Sequence, residues 1–153
     1  MHTRKLGWTD LHFTTMGLGA WAMGGSGWKF GWGPQDDADS IATIHRAIEL
    51  GINWVDTAAI YGLGHSEEVV GQALKTMTHK PIVATKCSRR WDDTGTPYAN
   101  LDPVSLRKEC DDSLRRLGVD QIDLYQVHWP QPDAGIEEAW STLADLVKAG
   151  KLR

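Results

Sequence analysis

The stretch "GINWVDTAAIYG", residues 51–62, decides the fold. Ile52, Trp54 and Val55 form an apolar run that ends on an acid, Asp56. Such a run reads as a buried strand that delivers a carboxylate to its C-terminal end. Small residues follow, then a phenol, Tyr61. Upstream lies "DDADSIATIHRAIELG", residues 36–51, which reads as a helix. Acidic residues open it, Ile41, Ile44 and Ile48 share a face, and Gly51 stops it.

The same alternation continues downstream. "SEEVVGQALKTM" (66–77) reads as a helix with Ser66 as its N-cap, and "PIVATKC" (81–87) as a strand. "DPVSLRKECDDSLRRLG" (102–118) reads as a helix with Asp102 as cap, Pro103 in the first turn and Gly118 just past the end. Its expected apolar face is Leu106, Cys110, Leu114 and Leu117. "IDLYQVHW" (122–129) reads as a strand. "GIEEAWSTLADLVKAG" (135–150) reads as a helix whose buried face would be Ile136, Trp140, Leu143 and Val147. At the N-terminus, "KLGWTDLHFTTM" (5–16) predicts a hairpin turning at Gly7–Asp10, and "TTMGLGAW" (14–21) a first core strand. Residues 22–35 are glycine-rich and read as a loop. Strands that alternate with helices imply a parallel sheet covered by helices. On this pattern a doubly wound sheet and a (βα)8 barrel both remain open.

"GLGAWA" (17–22) matches the glycine pattern of a dinucleotide fold. That pattern works only where a helix N-terminus follows the turn and holds the pyrophosphate. Here the glycine-rich loop continues to about residue 35, so the match is a decoy.

The rest of the composition narrows the function. The chain has 153 residues, 41% hydrophobic and 24% charged, with a formal net charge of −4. That is enough for one domain with a core. It shows no basic stripe for nucleic acid and no run of about 18 apolar residues for a membrane span. Cys87 and Cys110 lie outside any CxxC spacing, which argues against a disulfide scaffold or a metal site and fits a cytoplasmic setting.

The strand ends carry the chemistry. The second, third and fourth core strands end near Asp56, Lys86 and His128, and Tyr61 lies just beyond the first of these. In parallel βα units those ends share one edge. Each residue alone has a bland reading as cap, loop tyrosine, solvated lysine or structural histidine. Together they form an acid–base set. A carboxylate holds a lysine charged, the ammonium favours the anion of a nearby phenol, and a histidine donates to a substrate oxygen. Such a set protonates an oxygen on which negative charge builds, as in carbonyl reduction. The hydride would come from a nicotinamide cofactor.

These residues sit in segments that resemble the aldo-keto reductase family. The segments are "MGLGAWAMG", "AIELGINWVDTAAIYGLGHSEEVVGQAL", "VATKC", "SLRRLGVDQIDLYQVHWP" and "LVKAGKLR", which together span nearly the whole chain. The resemblance implies a (βα)8 TIM barrel closed at the bottom by an N-terminal hairpin, and NADPH-dependent reduction of an aldehyde or ketone. It makes Tyr61 the proton donor, Lys86 and Asp56 its charge partners, and His128 the group that orients the carbonyl. It puts Gly19, Ala20, Trp21 and Asp56 near the nicotinamide ribose. Trp21, Trp28, Trp91 and Trp129 become candidate pocket walls, with ordinary packing an equal alternative.

A full barrel needs about 250 residues, and four βα units are seen here. Residues 1–153 therefore read as the N-terminal half of such a barrel, one domain without a second. Most of the NADP site is expected in the other half, with weak NADPH binding by these residues alone. Unpaired sheet edges predict self-association or pairing with a C-terminal half. Two other functions compete. One is a non-catalytic binding or regulatory protein on the same scaffold, or an inactive truncated fragment. The other is an aldolase using Lys86 as a Schiff base.

Overall fold

The computed structural model describes residues 1–153. The N-terminal turn signal produces a hairpin in which β1 (Thr3–Lys5) pairs antiparallel with β2 (His12–Thr14). Next come β3 (Leu18–Gly19), α1 (Asp37–Glu49), β4 (Trp54–Asp56), α2 (His65–Lys75) and β5 (Ile82–Cys87). A second hairpin follows, β6 (Arg89–Trp91) with β7 (Pro97–Ala99). Then come α3 (Pro103–Leu117), β8 (Leu124–Val127) and α4 (Ile136–Lys148). The main sheet is parallel in the order β3-β4-β5-β8, so successive core strands are neighbours and the first and fourth are its outer strands. Leu152 forms one further parallel bridge, to Ile122. The glycine-rich match at 17–22 leads into a single helical turn, Ala22–Gly24, and the next long helix begins only at Asp37.

Local chemistry explains most helix ends. Asp36 caps α1 by accepting from the Asp39 amide at 3.0 Å. Asp102 caps α3 by accepting from the Val104 and Ser105 amides, Pro103 fills the first turn, and Gly118 closes the helix at φ 64°. The expected cap at Ser66 is not one. Gly64 precedes the helix, and Ser66 lies inside α2, where its hydroxyl donates to the Ala20 carbonyl at 2.7 Å. That bond ties α2 to the chain segment beyond β3.

The core lies between the sheet and its helices. Val55, Val83 and Cys87 from the strands meet Val69, Val70, Ala73 and Leu74 of α2 and Leu106, Cys110 and Leu117 of α3. The helix α4 departs from the expected pattern. Ala139, Leu143 and Leu146 face the core, while Trp140 is 70% exposed and Val147 is exposed too. The sequence of α4 carries two apolar stripes, and packing beside α3 against the core selects one of them. The other borders an apolar groove with Trp8 and Leu11 of the N-terminal segment. No helix is long and apolar enough to cross a membrane.

An ion pair is buried between α2 and α3. Glu67 is wholly inaccessible; Arg116 Nε donates to it at 2.7 Å and Thr85 Oγ1 at 2.6 Å. Removing water from both charges is costly, so each depends on the other.

Candidate active site at the strand ends

Parallel register brings the three strand-end residues to one edge of the sheet. Asp56 is the last residue of β4 and lies beside Gly19 of β3 and Ala84 of β5. Lys86 lies near the end of β5, opposite Gln126 of β8, and His128 follows β8. The Lys86 ammonium donates to Asp56 Oδ2 at 2.7 Å, to the Thr57 carbonyl at 2.8 Å and to Tyr61 Oη at 3.3 Å. Its side chain is only 13% exposed, so water screens the Asp56–Lys86 attraction less than at a surface pair. Gln126 makes a longer contact, 3.4 Å, to the other Asp56 oxygen. Neither Thr57 nor Gln126 stands out in the sequence; strand alternation places Gln126 on the face that Lys86 and Asp56 share.

Close backbone approach sets Tyr61. Gly62 adopts φ +62°, and a Cβ there would lie 2.2 Å from the Gly24 carbonyl oxygen. A Cβ on Gly24 would in turn lie 2.6 Å from the Gly62 amide. Two glycines thus let the 22–25 turn press on the Tyr61 turn. Trp21 stacks on the Tyr61 ring at 5.2 Å, and Trp32 stacks on Trp21 at 6.2 Å. The Tyr61 ring is buried, with the His128 ring edge-on to it at 5.8 Å.

His128 is electrically neutral at pH 7. Burial, then the charges of Lys86 and Arg89, push its pKa down to about 4, with Asp56 opposing. A neutral imidazole has one N–H donor. Its Nδ1 is buried and unpartnered within the chain.

A cavity of about 280 Å³ opens beside these groups, with Trp21, Trp28, Tyr61, His128 and Trp129 among its walls. Trp91 is not among them. It lies on the hairpin strand β6 and lines a neighbouring, charged cavity. Ala20 is also withdrawn: it is fully buried, its amide donates to the Asp56 carbonyl at 2.8 Å and its carbonyl accepts from Ser66. Gly19 and Trp21 are the accessible members of that stretch. Phe30 of the glycine-rich loop, residues 24–33, whose resemblance to the family makes it a candidate wall, lines the cavity, and Arg89 and Pro97 line it without having been singled out in the sequence. Arg89 and Pro97 belong to the β6–β7 hairpin.

Ser88 launches that hairpin in a left-handed conformation, φ 72°, rare for a residue with a Cβ. Hydrogen bonds to three residues hold it there. Its amide donates to Glu109 at 2.9 Å, its carbonyl accepts from the Asn100 amide at 3.0 Å, and its hydroxyl donates to the Trp129 carbonyl at 3.1 Å. Burial pushes the Glu109 carboxyl up to about 7, against the opposing bonds from Ser105 and Ser88. The wall formed by Arg89 and Trp129 therefore rests on Ser88 and Glu109.

Residues 15–153 match the Aldo/keto reductase family. The chain is 41% identical over 147 residues to the aldo-keto reductase YhdN of Bacillus subtilis (strain 168), covering 95% of this chain and 43% of that protein. It is also 41% identical over 162 residues to an NADH-specific methylglyoxal reductase of Escherichia coli (strain K12), covering 97% and 49%. Among solved structures, it is similar to a glycerol dehydrogenase from Gluconobacter oxydans, with a TM-score of 0.87 at 42% identity, covering 99% of this chain and 46% of that one. The chain spans about half the length of the curated relatives it matches.

Proposed function

Because the chain belongs to the aldo/keto reductase family, we propose that it reduces an aldehyde or ketone to an alcohol, with Tyr61 as proton donor and NADPH as hydride source. The observation that carries the reading is the Lys86 ammonium, hydrogen-bonded at once to Asp56 and to Tyr61 Oη. Donation from a cation to a phenol oxygen favours the phenolate left behind when the proton departs. Asp56 keeps that cation in place. Neutral His128 supplies one N–H to the carbonyl oxygen and fixes its direction toward Tyr61. The aromatic walls exclude water from the oxygen on which charge develops.

The residues also fit a nicotinamide ring and its ribose. Asp56 Oδ1 receives only the 3.4 Å contact from Gln126, which leaves it free to accept from a ribose hydroxyl. Gly19 has open space where a side chain would lie, and Trp21 is accessible beside it. When bound, the dinucleotide supplies the hydride, which none of these side chains can. One relative is named NADH-specific, so the choice of NADPH over NADH is a separate measurement.

The alternatives fit less well. A scaffold without catalysis has no need for the lysine of such a pair to reach a phenol oxygen at a cavity wall. A Schiff-base lysine needs a free amine, whereas the Lys86 ammonium donates three hydrogen bonds. The test is the oxidation of NADPH, and in parallel NADH, in the presence of simple aldehydes. Aldehyde-dependent oxidation with alcohol formed in equal amount supports the reading. Tight dinucleotide binding without turnover supports the scaffold instead.

A further inference from the structure

Arg89 is the cation in the wall of this cavity. It forms no ion pair and no side-chain hydrogen bond within the chain. Its guanidinium instead lies over the Trp129 ring, 4.3 Å from the centroid. Stacking occupies the flat face of a guanidinium and leaves the N–H groups around its edge free. Arg89 borders the cavity that holds Tyr61 and His128, where it is the one charged wall beside the neutral His128, and also a neighbouring cavity walled by Asp92, Asp93, Glu109 and Asp112. The Arg89 charge also reaches the site, since it disfavours protonation of His128. Lys86 and Arg89 against the single acid Asp56 leave the site positive.

We propose that Arg89 is the specificity residue of this cavity, and that the substrate is a flat aldehyde bearing a carboxylate. The inference rests on the reductase reading for the carbonyl end only. At the other end, a single planar guanidinium edge matches a single planar carboxylate, two N–H groups to two oxygens. The segment between them meets Trp21, Trp28 and Trp129, surfaces on which a ring stacks. A cavity of about 280 Å³ has room for about one ring. Ser88, locked at positive φ by Glu109 and bonded to the Trp129 backbone, holds the arginine and its stacking partner in register.

The experiment compares para-carboxybenzaldehyde with benzaldehyde, in the protein and in its R89M and R89K variants. The two readouts are kcat/KM with NADPH and binding by calorimetry. The ratio of the carboxylate to the neutral aldehyde should be about ten or more in the unaltered protein, the gain expected of a charged hydrogen bond. It should fall to about one in R89M and recover only in part in R89K, which keeps a charge but loses the planar fork and the stacking on Trp129. A ratio near one in the unaltered protein, or the same ratio in R89M, overturns the proposal while leaving turnover, and so the reductase reading, intact. Binding that discriminates without any turnover sustains Arg89 as the anion site and sinks the reductase reading. Absence of both discrimination and turnover sinks both.

Discussion

The Lys86 ammonium lies 2.7 Å from the Asp56 carboxylate, largely out of water, and reaches Tyr61 Oη from the same position. The three groups are therefore one device rather than three contributions. Asp56→Asn and Lys86→Met should each lower kcat by about 10²–10⁴-fold, the usual worth of positioned acid–base catalysis. The double variant should lose little more than the worse single one, because parts of one unit are not additive. Losses that multiply would show that Asp56 acts independently of Lys86.

Glu109 and His128 give stability opposite pH slopes. The Glu109 carboxyl is raised from 4.5 to about 7, so the folded state holds its proton longer than the unfolded chain. Its contribution is full below about 4.5 and lost as pH rises to about 7. His128 is lowered from 6.5 to about 4, so its contribution is full above about 6.5 and lost as pH falls to about 4. Denaturant unfolding across this range should show Glu109→Gln more stable relative to the parent at pH 7 than at pH 4.5. An unchanged difference would mean that Glu109 titrates alike in the folded and unfolded chain.

Arg116 neutralises a carboxylate with no access to water, since Glu67 is wholly buried. Arg116→Met should cost about 3–5 kcal/mol, because it strands a buried charge. Adding Glu67→Gln should return part of that loss. Urea midpoints for the single and double variants measure both.

Gly62 is the hinge that seats Tyr61. Alanine there would meet the Gly24 carbonyl at 2.2 Å and would be held at φ +62°. Gly62→Ala should cost about 1–3 kcal/mol in backbone strain. By shifting the phenol it should also lower kcat by about 10²-fold. Wild-type kcat in this variant would mean that the turn yields without moving Tyr61.

Much of this was legible because it is local. Alternating strands and helices, the Asp102 cap, the stops at Gly51 and Gly118, and the ionisable strand ends all lie within a few residues of their cause. What was not legible depends on distant partners. "RRW" and "PYA" look like loop, and they become β6 and β7 only by pairing with each other. Trp140 and Val147 are apolar like Leu143 and Leu146, and only packing beside α3 decides which stripe is buried. Ser66 has the right chemistry for a cap, but it sits two residues past Gly64 and bonds across the fold to Ala20. Which residues of β6 reach the cavity depends on the turn at Ser88, which no local signal announces.

Tyr61→Phe tests the central claim most directly. It removes one oxygen atom and keeps the ring that stacks on Trp21. The protein and the variant should be compared for dinucleotide binding by fluorescence and for aldehyde reduction in a single turnover. The account predicts unchanged binding, with reduction slowed by about 10²–10⁴-fold or more. Reduction at the parent rate would contradict it, because Tyr61 could not then be the proton donor.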